Sequence, residues 1–350
     1  MKKLGIFNKI VYILNLGLTV LSLLAYLLPF FAPKLFPILS VLTLFLPLML
    51  ILNALFFLFW LIQLKRQMLM SAIVLLIGLP FINKFYRFTS KSVEPVEDEF
   101  TFMSYNVRLF NLFEWIPKHD VNQPIASFIK EQNPDIICFQ EYSGNHTIDF
   151  KLYPFSHEEI RGKSSKYGQA IYSKYPIIDK GHIPLNHSDV RAIYADIKRG
   201  KDTLRVYSLH LQSIKITPDI HEIESNPSGG VTQERSLKML RSLSTAFREQ
   251  QHQAEIIQQH RSDCRYPVII CGDFNNSAFS YVYRNIKGEL NDTFEKAGKG
   301  FGKSYNFKLY PARIDFIFAD KKLEVRTHKT FPEFVHSDHF PLVAKFSFRK

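Results

Sequence analysis

Six clusters of acids, amides and histidines hold the groups that can do chemistry in this 350-residue chain. They are Asn106, Glu141, His210, Asp273 with Asn275, Asp315, and Asp338 with His339. Each lies at or beside the end of an apolar, strand-like run. The most telling is Val268–Asn275, V-I-I-C-G-D-F-N. Four apolar residues, mostly β-branched, read as a buried strand. Gly272 then permits a tight turn, and Asp273 and Asn275 follow on one side of the chain. Alone, Gly-Asp-Phe-Asn also fits an ordinary turn. The repetition of the same form at the other five places favours a site. Together the clusters supply hard oxygen ligands for Mg²⁺ and imidazoles for proton transfer. Hydrolysis of a phosphate ester needs these parts: a metal to neutralise charge, an activated water, and donors for the pentacoordinate phosphorus. The chain has no G-x-x-x-x-G-K-[ST] phosphate loop, no G-x-S-x-G elbow and no Cys/His spacing for structural zinc.

The elements that must position these groups can be read in order. Phe100–Val107 alternates like a strand and ends near Asn106. Val121–Gln132 reads as a helix with Ile125, Phe128 and Ile129 on one face, stopped by Asn133-Pro134. Asp135–Gln140 is a buried strand that delivers Glu141, an acid costly to bury unpaired. Gly168–Tyr172 is a strand. Val190–Ile197 and Thr203–Leu211 form a strand pair, the second carrying His210. Ile214–Gly230 is a long Pro- and Gly-containing loop, either a substrate lid or an excursion without structure. Thr232–His260 is a long helix with a solvated charged face, its Gln and His cluster at Gln250–His260 on the surface. Asn291–Phe294 starts a helix, and Gly298–Lys308, with its Gly, Lys and aromatic residues, is either a flexible surface loop or a segment that touches substrate. Arg313–Phe318 is a strand in which Asp315 needs a buried partner, and a histidine suits it. The candidate is His339, just before the last strand, Leu342–Phe348.

Residues 1–90 read as an all-α transmembrane region. Ile10–Phe31 and Leu35–Ile62 are uncharged runs long enough to cross a bilayer, apart from Lys34 between them. Met68–Ile82 is a third, short run that Lys84–Arg87 can extend by snorkelling and aromatic anchoring. Trp60 suits an interfacial anchor, and Asn15 and Asn53 suit packing between helices. A cleaved signal peptide fits badly with so much apolar sequence. Residues 91–99 form a polar linker, and residues 100–350 a second domain. The formal net charge is +12, of which +8 falls in residues 1–94. The basic excess therefore marks membrane flanks more than a nucleic-acid groove. With three spans and the N-terminus inside, Lys2, Lys3, Lys9, Lys65 and Arg66 lie inside, against Lys34, Lys84, Arg87 and Lys91 outside. That balance places the second domain outside the cytoplasm; if the third run only dips into the membrane, the domain lies inside. Cys138, Cys264 and Cys271 make no disulfide framework, and Cys138 and Cys271 read as core thiols.

The ordered set S-Y-N-V, Q-E, S-L-H-L, G-D-F-N, R-I-D-F-I-F and S-D-H-F-P resembles the endonuclease/exonuclease/phosphatase superfamily, with the deoxyribonuclease I-like fold. The resemblance spans residues 100–349 and implies an α+β fold, a four-layer αββα sandwich. It implies Glu141 as the principal Mg²⁺ ligand, with Mn²⁺ as an alternative ion, and Asn106 and Asp338 close by. His339 would act on the attacking water or the phosphate, oriented by Asp315. Asp273 would position or deprotonate the water, and Asn275 would hold a phosphate oxygen. His210 would contact the phosphate or assist the leaving group. Tyr172 loosely matches a position that contacts substrate in some members. The motifs fix the chemistry and leave the leaving group open. An extracytoplasmic nuclease, a sphingomyelinase-like lipid phosphodiesterase and a phosphomonoesterase all fit, with nucleic acid or a phospholipid-like ester as substrate. Two other classes remain: a non-catalytic module tethered to the bilayer, or a membrane sensor with an accessory hydrolase. The complete set of site residues argues against the first, and the scarcity of polar intramembrane residues against the second.

Overall fold

A computed structural model describes residues 4–89, 94, 96–117, 120–161, 167–185, 191–214, 233–308 and 310–349. The chain divides into two compact units. One comprises residues 1–85, 213–251 and 277–284, and the other residues 86–212, 252–276 and 285–350. The predicted loop Ile214–Gly230 lies outside the described residues from 215 onward, as does most of the predicted linker's start at 90–93.

The first unit is helical. Its elements are α1 (Ile6–Leu27), α2 (Pro37–Ser40), α3 (Leu46–Ile62) and α4 (Met68–Phe85). The stretches Ile6–Phe30, Pro37–Ile62 and Met68–Phe85 are long and apolar enough to cross a membrane. The second is interrupted by a 3-10 segment at Val41–Phe45. Pro47 explains it, because a proline donates no hydrogen bond and crowds the preceding turn. Buried amides hold the helices together. Asn53 Nδ2 donates to Ser22 Oγ at 2.9 Å, and Ser71 Oγ donates to Asn15 Oδ1 at 3.0 Å. Trp60, expected as an interfacial anchor, is instead fully buried. Val41 packs against Leu243 and Phe247 of the long helix α6 (Gln233–Ser262).

The second unit contains two six-stranded sheets. In chain order the strands are β1 (Glu99–Asn106), β2 (Ile136–Ser143), β3 (Phe155–Arg161), β4 (Tyr167–Ser173), β5 (Ile177–His182), β6 (Ala192–Arg199), β7 (Asp202–His210), β8 (Val268–Asp273), β9 (Asn291–Asp292), β10 (Asp315–Ala319), β11 (Leu323–Thr330) and β12 (Leu342–Phe348). The sheet orders are β11-β12-β1-β2-β4-β3 and β5-β6-β7-β8-β10-β9. Both sheets are mixed. β1/β2 and β7/β8 are parallel, and the other pairs are antiparallel. Alternation sorts the side chains of the central strands. Phe102, Ile136, Cys138, Ile269 and Cys271 enter the core shared by the two sheets. Met103, Tyr105, Ile137 and Phe139 point the other way, onto Ile125, Phe128 and Ile129 of α5 (Asn122–Gln132). Strands buried on both faces read as continuous apolar runs, which is why these were recognisable. The expected four-layer αββα sandwich is the observed fold class.

Several local expectations change. β3, β5, β11 and the short α7 (Tyr281–Lys287) were not anticipated. Asn291–Phe294 begins as β9, and only then does Asp292 cap α8 (Thr293–Ala297), accepting from Phe294 N at 2.9 Å. Gln250, Gln251 and Gln253 are buried, not on the surface. Gln251 Oε1 accepts from Lys34 N and Gln253 Oε1 from Gln212 N, each at 2.9 Å, so these amides satisfy main-chain donors.

Candidate active site

Strand register assembles the site. In sheet two, His210 pairs with Asp273 across β7/β8, and Asp273 with Asp315 across β8/β10, so three polar residues sit in one row. In sheet one, Asn106 pairs with Gln140 at the end of β1/β2. The segment before β12 brings Asp338 and His339 to that same end, where Ser337 Oγ donates to the Asn106 carbonyl at 2.9 Å.

Three backbone devices aim the side chains. Gly272 has φ +131°, and a Cβ there would lie 1.9 Å from the Leu209 carbonyl oxygen. Only glycine lets β8 approach β7 so closely. A bulge between Phe139 and Tyr142 puts Glu141 at φ +47°, turned out of the ladder. Asn275 has φ +49°, and its N–H donates to Asp273 Oδ1 at 2.8 Å. Non-glycine residues in this region cost about 1–3 kcal/mol each and concentrate at functional sites. A fourth device follows β1. Arg108, Leu109, Phe110 and Asn111 all have positive φ, from 43° to 59°. A left-handed run costs roughly 1–2 kcal/mol per residue.

The side chains then meet. Asp273 Oδ2 accepts from Asn106 Nδ2 at 3.1 Å and Asn275 Nδ2 at 3.2 Å. It stands 3.6 Å from His339 Nε2 and 3.7 Å from His210 Nε2. His339 Nδ1 faces both Asp315 oxygens, at 2.9 and 3.1 Å. His210 Nε2 is 3.5 Å from Glu141 Oε1, and Asn106 Nδ2 is 3.4 Å from that oxygen. Asp338 Oδ2 pairs with Arg108 Nη1 at 3.1 Å. All eight predicted site residues, Asn106, Glu141, His210, Asp273, Asn275, Asp315, Asp338 and His339, therefore form one connected cluster. Tyr172 does not join it. Its hydroxyl contacts Tyr142 Oη and Glu158 Oε1, and its ring stacks on Phe150 within the outer core.

Burial sets the electrostatics. Asp273 is 1% exposed, and burial raises its pKa, with the Asp315 and Glu141 charges adding to the rise and His339 opposing it. Burial likewise raises Glu141, reinforced by Asp338 and opposed by His339. Burial alone would lower His339, but Asp315 and Asp273 outweigh it and hold the imidazole well above its ordinary value. Asp273, Asp315 and His339 offer ligand atoms within 4.8 Å of one another. Glu141, Asp338 and Asn106 add oxygen donors of the kind that hard divalent cations take. Burial is the main cause of the rise at Glu141, with Asp338 adding to it, and a bound cation there would favour the ionised carboxylate.

Arg108, Ser304 and Tyr305 were not foreseen. Ser304 Oγ accepts from Ile314 N and Asp315 N, each at 3.0 Å, fixing the Asp315 backbone. The Tyr305 ring lies 4.9 Å from the His339 ring. The Gly298–Lys308 segment is thus paired beside the site at Ser304–Asn306, and is no free loop there. Arg108 carried a local signal, a cation two residues past Asn106; Tyr305 is one of the aromatics of a loop that could touch substrate, and Ser304 carried no signal of its own.

Known proteins agree with this architecture. No curated protein sequence matches the chain. An endonuclease/exonuclease/phosphatase family protein from Bacteroides thetaiotaomicron is similar at 20% identity and TM-score 0.52, over 74% of this chain and all of that one. A mannosyl-6-phosphatase from the same organism is similar at 20% identity and TM-score 0.52, over 71% of this chain and all of that one. The human Nocturnin catalytic domain with bound sulfate is similar at 18% identity and TM-score 0.50, over 73% and 96%. These likenesses bear on the fold. A domain of unknown function matches residues 8–85. The Endonuclease/Exonuclease/phosphatase family matches residues 103–339, most of the chain and every residue of the cluster, and the chain belongs to that family.

Proposed function

We propose that this protein is a membrane-anchored, metal-dependent phosphoesterase. The observation that carries the reading is the convergence of Asp273, Asp315 and His339 with Asn106, Glu141, His210, Asn275 and Asp338 at one end of both sheets. Glu141, Asn106 and Asp338 would hold Mg²⁺ or Mn²⁺, which when bound supplies charge neutralisation at the phosphate. Asp273 positions a water and accepts its proton as the water oxygen bonds to phosphorus. His339, kept cationic by Asp315, stabilises charge on the phosphate oxygens. Asn275 donates to a phosphate oxygen. The ester P–O bond breaks, and His210 serves the departing oxygen. The domain boundaries are 1–90 for the membrane region, 91–99 for the linker and 100–350 for the catalytic domain. The chain is multi-pass, and the margin of basic residues on the N-terminal side puts the catalytic domain outside the cytoplasm.

Full-length protein in detergent tests this. It is offered plasmid DNA, RNA, sphingomyelin, p-nitrophenyl phosphate and bis-p-nitrophenyl phosphate, with Mg²⁺, Mn²⁺ or EDTA. Metal-dependent turnover that falls at least about 10²-fold in His339→Ala is expected. Glu141→Ala should raise the Mg²⁺ requirement or abolish turnover. A folded protein without turnover on every ester would instead favour the tethered binding module.

A further inference from the structure

We propose that Arg108 is a substrate-binding residue whose guanidinium grips two non-bridging oxygens of the phosphate, so that the site prefers a terminal phosphate monoester to a diester. The proposal rests on the phosphoesterase reading above. Its starting point is the run Arg108–Asn111, four successive non-glycine residues in the left-handed region. Such a turn does not persist without support, and the support here is specific. Asn106 Oδ1 accepts from Arg108 N at 3.1 Å. Phe110 is buried among Phe139, Tyr142 and His146. Asn111 closes the loop by bonding both ways to Ile116, at 2.8 and 2.9 Å.

The product of this arrangement is one cation held in one place. The Arg108 guanidinium lies over the Trp115 ring, 4.4 Å from its centroid, and Nη1 contacts Asp338 Oδ2 at 3.1 Å. Stacking fixes the plane of the fork, and the carboxylate fixes its rotation. That contact uses Nη1 and leaves the Nε–Nη2 edge for a second acceptor. The Arg108 side chain is 30% exposed, so a substrate can reach it. It also lies near enough to Glu141 to oppose the rise in that carboxyl's pKa. A guanidinium edge matches two oxygens on one phosphorus. A monoester has three terminal oxygens, so one remains for His339 and Asn275 after the fork is satisfied. A diester has two, and the fork competes for them with His339 and Asn275.

The test uses full-length protein in detergent, p-nitrophenyl phosphate, bis-p-nitrophenyl phosphate and inorganic phosphate. Wild type should turn over the monoester with the higher kcat/KM. Arg108→Ala should raise the monoester KM about tenfold or more, with kcat within about threefold, and weaken inhibition by inorganic phosphate in parallel. The diester KM should change less. Arg108→Lys keeps charge and loses the fork, so it should recover only part of the affinity, at an unchanged melting temperature. A wild type that prefers the diester, or an Arg108→Ala protein with unchanged KM and phosphate inhibition, overturns the proposal. If neither ester is turned over, the phosphoesterase reading fails first. Calorimetric binding of inorganic phosphate then decides on Arg108: binding lost in Arg108→Ala supports it, and equal or absent binding in wild type and variant overturns it.

Discussion

Asp315→Asn isolates what the buried carboxylate does for His339. The two side chains have nearly the same volume, and the Asp315 backbone is held by Ser304 Oγ regardless of the side chain. Both carboxylate oxygens lie within 3.1 Å of His339 Nδ1. An asparagine offers one neutral oxygen in their place, so the imidazole keeps an acceptor and loses the charge. Asp315 is 4% and His339 5% exposed, so water does not replace that charge. A hydrogen bond to a charged group contributes about 1.5–3 kcal/mol, which in a transition state is about a 10- to 150-fold loss in kcat. KM should hardly move, because the contact faces away from the substrate. The assay is steady-state turnover of the best ester by the full chain in detergent, with melting temperature as the folding control. Asp315→Asn combined with His339→Ala should be no slower than His339→Ala alone, since the carboxylate's hydrogen-bonded partner is the imidazole and its charge on Asp273 is a smaller effect. An Asp315→Asn protein within threefold of wild type, or additive losses in the double variant, would falsify this account.

Gly272→Ala puts a Cβ 1.9 Å from the Leu209 carbonyl at φ +131°, so it should destabilise by at least about 2 kcal/mol and displace Asp273; an unchanged melting curve and rate would refute the close-approach argument. His328 is buried, and burial lowers its pKa from 6.5 to about 4. It is therefore neutral in the folded chain, and the stability it contributes is present above pH 6.5 and lost as pH falls toward 4, about 3 kcal/mol in all. His328→Asn should flatten the melting temperature between pH 7.5 and 4.5, and identical pH profiles for the two proteins would count against it. Asn53→Ala removes the 2.9 Å bond to Ser22 and should lower stability in detergent by about 0.6–1.7 kcal/mol; no change in unfolding would mean the bond contributes nothing there.

What was legible in the sequence was local. Val268–Asn275 and Asp135–Glu141 announced themselves because a strand buried on both faces leaves an unbroken apolar run, and a polar residue at its end stands out. The pairing of Asp315 with His339 followed from the cost of burying an acid alone. β3 and β5 were not legible. Both are edge strands, F-S-H-E-E-I-R and I-I-D-K-G-H, whose extension comes from pairing with β4 and β6 rather than from a pattern of their own. β11 is also an edge strand, broken by a bulge at Val325–Thr327. Gln250, Gln251 and Gln253 read as surface because composition does not record which main-chain donors a helix will meet. Tyr305 reaches His339 only through the folded chain.

The backbone strain bears on whether the site works or merely survives. Glu141, Asn275 and the run Arg108–Asn111 are six non-glycine residues in left-handed conformations, all around one polar cluster. Asp273 adds a carboxyl raised by its burial, with the Asp315 and Glu141 charges adding to the rise. None of this stabilises the sandwich. A glycine at 141 or 275 would relieve strain, and an asparagine at 273 would remove charge, with both sheets left paired. A tethered binding module would have no need to keep all of these costs in one place. A hydrolase would, because Glu141, Asn275 and Arg108 each bring a ligand or donor to the same cluster, and Leu109, Phe110 and Asn111 hold the turn that carries Arg108. Replacing Glu141 by glycine should therefore raise the melting temperature while activity is lost, and a fall in both would mean that the bulge serves the fold.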